Sequence, residues 1–118
     1  QEDHLFEQVM AVGEARPYIT ALVVVNPTLF DLLCQELNID PDAADLNANR
    51  DLRARLVKRV RQAAKHFPQY GVPRNICILK QPWTVENGLL TPTMKLRRRQ
   101  IAERFSREIE AMYAARHH

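Results

Sequence analysis

Chemistry in this chain concentrates in one loop, Glu86-Asn87-Gly88-Leu89-Leu90-Thr91-Pro92-Thr93-Met94-Lys95, which runs into Leu96-Arg97-Arg98-Arg99. Gly88 permits a tight backbone path, and Pro92 removes a donor and stiffens the chain. Thr91 and Thr93 place two hydroxyls beside one cation. A lysine carries a compact charge on a flexible stem, suited to a phosphate oxygen and a carboxylate oxygen at once. Phosphoryl and acyl-phosphate chemistry needs charge stabilisation more than covalent help. Neither GxxxxGK[ST] nor GxGxxG occurs, so the loop is no nucleotide-cradling glycine loop. On composition alone, Lys95 also reads as an ordinary surface lysine opening a basic helix.

The other chemical residue types offer less. His4, His66, His117 and His118 form no triad or metal-ligand spacing, and no metal site is expected. Cys34 and Cys77 lie in apolar runs without a CxxC pair, and read as reduced thiols packed as small hydrophobes. No serine or cysteine has a recognisable neighbouring base.

Basic residues cluster twice. Arg50, Arg53, Arg55, Lys58, Arg59, Arg61 and Lys65 crowd one segment; Lys95, Arg97, Arg98, Arg99, Arg104 and Arg107 crowd another. Such clusters attract anions: nucleic acid, nucleotide, CoA phosphates or an acidic membrane surface. A solvated helix face explains them as well. No aromatic residues interleave with the cations in the manner of single-strand binders.

The elements that must position this loop follow from pattern. The chain has 118 residues, 46% hydrophobic and 26% charged, and carries a formal charge of +3. That is one small domain with room for a modest core. Phe6–Val12 and Tyr18–Asn26 read as strands joined by a turn over 13–17, and the β-branched run in the second suggests burial on both faces. Asn26-Pro27 caps a helix reaching about Asn38, with Leu29, Phe30, Leu33 and Leu37 on one face. Residues 39–48 read as a loop. Asn49 caps a second helix whose stripe is Leu52, Leu56, Val57, Val60, Ala64 and Phe67, halted by Pro68 to Pro73. Residues 75–80 form a third strand, Trp83 anchors the loop by packing, and one helix runs from Leu96 to Ala115. The expected fold is α+β, in the order β-β-α-α-β-loop-α, with a small mixed sheet of three or more strands covered on one face by helices.

Two segments resemble a known family. The loop is similar to the lysine motif Asn-Gly-Leu-Leu-Thr-Pro-Thr-x-Lys-x-x-Arg of AMP-forming acyl-CoA synthetases, above all the long-chain fatty-acid CoA ligases. Phe6-Glu7-Gln8-Val9 and Gly13-Glu14-Ala15-Arg16-Pro17 resemble the family's Phe-Glu-Gln-Val-x-Val-x-Gly-Glu-x-Arg-Pro segment, and 21–27 the strand after it. The resemblance covers about Leu5 to Tyr113 and implies that residues 1–118 are one C-terminal lid domain of the adenylate-forming superfamily. It places Lys95 on the catalytic lysine and Gly88, Thr91 and Thr93 in loop positioning. Arg98, three residues after the lysine, becomes a phosphate contact, or else a solvated helix-start arginine.

The resemblance further implies a larger N-terminal adenylation domain in the same chain, holding ATP, Mg²⁺ and a fatty acid, with CoA as the second substrate. The lid supplies Lys95 for acyl-adenylate formation and rotates for thioester formation. The hinge and the glycine loop after it would precede Leu5. Taken alone, the piece is expected to hold no cofactor and to be inactive. The start Gln1-Glu2-Asp3-His4 does not read as a secretory signal, and its lack of Met suggests a cut piece. The parent is expected in the cytoplasm, with association at a membrane surface. A basic nucleic-acid-binding module and a protein-docking module are the alternatives.

Overall fold

A computed structural model describes residues 3–63 and 71–114. Three strands form the sheet in the order β1 (Phe6–Val12), β2 (Thr20–Val25), β3 (Asn75–Leu79). β1 and β2 are antiparallel, Val9 opposite Val23 and Met10 opposite Leu22, with an irregularity between Phe6 and Gln8. β2 and β3 are parallel, Leu22 beside Cys77. The sheet is therefore mixed, and the chain is α+β as its pattern suggests.

Side chains alternate across a strand, so β2 feeds two cores. Ala21, Val23 and Val25 face one way. They pack with Phe30, Leu33 and Cys34 of α1 (Pro27–Glu36), with Leu46, and with Leu52, Leu56 and Val60 of α2 (Arg50–Ala63). Leu22 and Val24 face the other way, against Trp83, Leu89, Leu90, Ile101, Ile109 and Met112. Every residue of β2 is buried. Each such Val or Leu contributes roughly 1.5–3 kcal/mol by leaving water. The expectation of helices on one face only is thus corrected: both faces are covered, which the continuous apolar run of β2 requires.

Local signals explain the helix starts. Asn26 Oδ1 accepts the Leu29 N–H at 3.0 Å with Pro27 in the first turn, and Asn49 Oδ1 accepts the Leu52 N–H at 3.0 Å. A short 3₁₀ turn, Leu46–Ala48, interrupts the loop expected over 39–48. Its Asn47 lies against the outer edge of β3. The Asn47 side chain accepts the Ile78 N–H at 2.6 Å and donates to the Ile78 carbonyl at 3.3 Å. An edge strand is thereby capped rather than left open.

The last helix departs from expectation. It begins at Arg98, and is two helices, α3 (Arg98–Arg104) and α4 (Ser106–Ala114), joined at Phe105. Leu96 is held out of the helix by an antiparallel bridge to Leu90, and the Arg97 N–H bonds to Leu89 O at 3.0 Å. Phe105 leaves helical geometry (φ −110°, ψ 29°), and the segments on both sides put buried residues into the second core. Tyr113 ties α4 to the sheet. Its hydroxyl donates toward Val12 O (3.1 Å) and Tyr18 O (2.9 Å) and receives from Thr20 Oγ1 (3.2 Å). Expectations placed on Ala64, Lys65, His66, Phe67, Pro68, Ala115, His117 and His118 lie outside the described residues.

The cysteines are free and buried on opposite faces of the sheet, Cys34 in one core and Cys77 in the other. Burial pushes the Cys77 thiol up to about 12, so it stays protonated and inert at neutral pH.

Candidate functional site

The loop rises from the second core. Trp83, Leu89 and Leu90 are buried there and hold its entry side, and Leu96 packs against the same core on the exit side. Gly88 has φ +81°, and nothing lies within 4 Å of a Cβ built on it. Its backbone conformation, not crowding, calls for glycine.

The tip is a tight hairpin. Leu90 and Leu96 pair across it. Pro92 occupies the first central position of a turn closed by the Met94 N–H on Thr91 O at 2.8 Å. Met94 follows in the left-handed region, φ 67°. The Thr91 N–H donates to Lys95 O at 2.9 Å, and the Lys95 N–H returns to Thr91 Oγ1 at 3.0 Å. Thr93 Oγ1 lies 3.2 Å from Thr91 Oγ1. Lys95 itself is exposed, and among the described residues its ammonium has no hydrogen-bonding or ionic partner. The structure thus brings Gly88, Thr91, Thr93 and Lys95 into one braced hairpin. The braces act on the backbone and leave the cation free.

The arginines behind the loop are occupied differently. Arg97 Nη1 reaches Gly88 O at 3.4 Å, and Arg104 Nη2 reaches Asn87 O at 3.3 Å. Arg98 Nη2 donates to Ala11 O at 2.6 Å, clasping the start of α3 to β1. Arg99 pairs with Glu103 one helical turn away. The basic side chains here largely hold the loop and helix in place.

Sequence reading missed two anchors of the loop. Gln8 on β1 pairs with the Trp83 main chain, and the Asn87 side chain ties together the turn at the loop's root. The Thr84-to-Asn87 spacing carries a local signal for the second, because Thr and Asn readily satisfy neighbouring backbone groups. Nothing local marks the first.

The first basic cluster divides. Arg55 pairs with Glu36 and Arg59 with Asp3. Arg50, Arg53, Lys58, Arg61 and Arg74 line a groove of about 550 Å³ beside Asn75, and among the described residues none of the five pairs with a carboxylate. No group of His, Cys, Asp or Glu among the described residues could hold a metal ion, and no described helix is long and apolar enough to cross a membrane.

The family described as the AMP-binding enzyme C-terminal domain matches residues 1–117. The chain belongs to that family. Among curated relatives, the long-chain-fatty-acid–CoA ligase FadD15 of Mycobacterium tuberculosis is 36% identical over 111 residues, covering 92% of this chain and 18% of the relative. Human long-chain-fatty-acid–CoA ligase 6 is 28% identical over 110 residues, covering 91% of this chain and 16% of the relative. The chain thus spans less than a fifth of these relatives. Among solved structures, the adenylation domain of a Mycobacterium chelonae carboxylate reductase superposes with a TM-score of 0.70 at 30% identity, covering 93% of this chain and 16% of that one. The adenylation domain of a Segniliparus rugosus carboxylic acid reductase, solved with AMP and a co-purified carboxylic acid, gives 0.68 at 26% identity, covering 94% and 16%. These similarities lend no support to the nucleic-acid and docking alternatives. This AMP-binding C-terminal domain shares its fold with the tail of adenylate-forming enzymes.

Proposed function

We propose that residues 1–118 are the lid domain of an ATP-dependent long-chain fatty-acid CoA ligase, and that Lys95 is its catalytic lysine. A larger N-terminal adenylation domain of the same chain would hold ATP, Mg²⁺ and the fatty acid. A carboxylate oxygen attacks the α-phosphorus, and pyrophosphate leaves with the bonding electron pair. Lys95 meets the α-phosphate and the carboxylate, lowering the repulsion between two anions as the new bond forms. The lid then rotates, CoA sulfur attacks the acyl carbon, and AMP departs. Arg98 keeps donors beyond the one spent on Ala11 O, which suits a supporting phosphate contact. The parent would work in the cytoplasm and associate with a membrane surface through its lipid substrate.

One observation carries this reading: a backbone-braced hairpin presents an exposed lysine ammonium with no partner among the described residues. The ligase names of the relatives and the neighbour solved with AMP and a carboxylic acid support the same chemistry.

The test is Lys95→Ala in the full-length protein, with the two half-reactions assayed apart. Pyrophosphate release should fall by about 10²–10³, the usual cost of one preorganised charge partner. CoA consumption from supplied acyl-adenylate should be largely spared. Equal loss in both, or in neither, overturns the assignment. The isolated 118-residue chain with ATP, Mg²⁺, CoA and palmitate should yield no thioester, because one lysine cannot position three reactants.

A further inference from the structure

Lys95 has a flexible stem and a head without a partner among the described residues, so whatever fixes its backbone fixes where the charge can reach. The Thr91 braces hold only the tip. That tip stands on two short stems, joined by the Leu90–Leu96 bridge and the Arg97 N–H on Leu89 O. The stems in turn stand on the turn from Thr84 to Gly88.

Asn87 is the joint of that turn. Its Oδ1 accepts the Thr84 N–H at 2.9 Å and the Leu89 N–H at 3.3 Å. Its Nδ2 donates to Pro82 O at 3.0 Å. Its own N–H donates to Thr84 Oγ1 at 3.0 Å, and its carbonyl receives Arg104 Nη2 at 3.3 Å. One residue thus links the entry to the loop, the first stem and the end of α3. Both oxygen lone pairs and one amide hydrogen of the head are used, a combination of acceptor and donor that an ionised Asp or an Ala side chain lacks. Gly88, in the left-handed conformation, then redirects the chain toward the hairpin.

We infer that Asn87 is a positioning residue for Lys95, setting the direction from which the ammonium approaches the reacting phosphate. The inference rests on the catalytic reading of Lys95. Leu89 and Leu90 are buried in the second core, so the loop stays attached to the domain without Asn87. What is lost is the angle at its root. Small misplacement of a catalytic group costs heavily in rate while leaving the fold intact.

A double-mutant cycle in the full-length protein separates positioning from simple structural support. Asn87→Ala should slow adenylation about 10²-fold, as expected for a displacement on the order of 1 Å, and spare thioester formation from supplied acyl-adenylate. Asn87→Asp keeps the two acceptor bonds and loses the donor, so its rate should fall between wild type and Asn87→Ala. Adding Asn87→Ala to Lys95→Ala should produce no further loss, because a residue acting only through Lys95 has nothing left to position. A further loss in the double variant overturns the inference, and so does a wild-type rate in Asn87→Ala when Lys95→Ala is impaired. A wild-type rate in Lys95→Ala overturns the underlying catalytic reading and this inference with it. Where thermal melting shows Asn87→Ala unfolded, Asn87→Asp completes the same cycle and decides it by the same criterion.

Discussion

The side-chain amide of Gln8 pairs in both directions with the main chain of Trp83, donating from Nε2 to Trp83 O at 2.9 Å and accepting the Trp83 N–H at Oε1 at 2.7 Å. A side chain of the edge strand β1 thereby satisfies both main-chain polar groups of a residue 75 positions away, at the core that lies under the loop. The lysine loop enters its path from this point, so β1 fixes where the loop begins.

Gln8→Ala should therefore destabilise the domain by about 1–3 kcal/mol, because it leaves the polar groups of a buried tryptophan backbone unmatched. Gln8→Glu keeps the acceptor for the Trp83 N–H but, while ionised, sets an oxygen against Trp83 O, so its cost should shrink as the pH is lowered and the carboxyl regains a donor. Urea unfolding of the three proteins across that pH range measures both costs. Equal midpoints for wild type and Gln8→Ala would show that water replaces the pair without cost.

Tyr113→Phe removes the hydroxyl that joins α4 to Val12 and Tyr18 and leaves the Thr20 hydroxyl, itself fully buried, without its acceptor. An unsatisfied buried group costs about 1–3 kcal/mol. The ring packing against Tyr18, centroids 5.0 Å apart, survives the change. Tm should drop by several degrees, roughly 3–6 °C per kcal/mol for a domain of this size. Adding Thr20→Val to this variant should recover part of the loss, and a further drop would contradict the assignment.

Asp3 gives the pH dependence a definite sign. Partial burial pushes its carboxyl up, but the Arg59 hydrogen bonds at 2.7 and 2.9 Å, the Leu5 N–H and the Arg59 charge outweigh it, so it sits below its ordinary value of 3.8. A lowered carboxylate contributes stability that is fully present above the unfolded value and lost as pH falls through the folded one. The pair is partly exposed, so that contribution is at most about 1 kcal/mol. The stability gap between wild type and Asp3→Asn should be open at neutral pH and close as the pH falls through the folded carboxyl's value, which lies below its ordinary 3.8. A gap of constant size across that range would place its origin elsewhere.

Local signals made most of this fold legible. The continuous run Ala21-Leu22-Val23-Val24-Val25 announced a strand buried on both faces, and Asn26-Pro27 and Asn49 announced helix starts that the hydrogen bonds bear out. The fold failed to be legible where tertiary contacts outweigh propensity. Leu96 and Arg97 continue a good helical pattern, yet cross-loop bonds to Leu90 and Leu89 take them out of it. Around the candidate site, Gly88, Thr91 and Thr93 mark a loop by residue type, but only the resemblance to the acyl-CoA synthetase motif singles out Lys95 from an ordinary surface lysine. Gln8 goes unmarked, because its partner lies 75 residues away and a single strand glutamine carries no sign of what it meets.

Met94 closes the hairpin at a positive φ of 67° and is 65% exposed, so the strained backbone gains little from packing. Left-handed geometry costs an L-residue roughly 1–2 kcal/mol. Glycine removes that cost but gives back about 0.5–1 kcal/mol through its freer unfolded chain. Asparagine tolerates the region through its short polar side chain, whereas a β-branched residue there is a true outlier. Met94→Gly and Met94→Asn should therefore match or slightly exceed wild-type stability. Met94→Val should lose at least about 1 kcal/mol, its second γ carbon crowding a conformation already disfavoured. Denaturant midpoints of the 118-residue chain measure the series directly. If valine proved as stable as methionine, the turn would have to relax away from the left-handed form. The Lys95 N–H would then lose its fixed relation to Thr91 Oγ1, and the backbone bracing of the lysine would be weaker than these distances indicate.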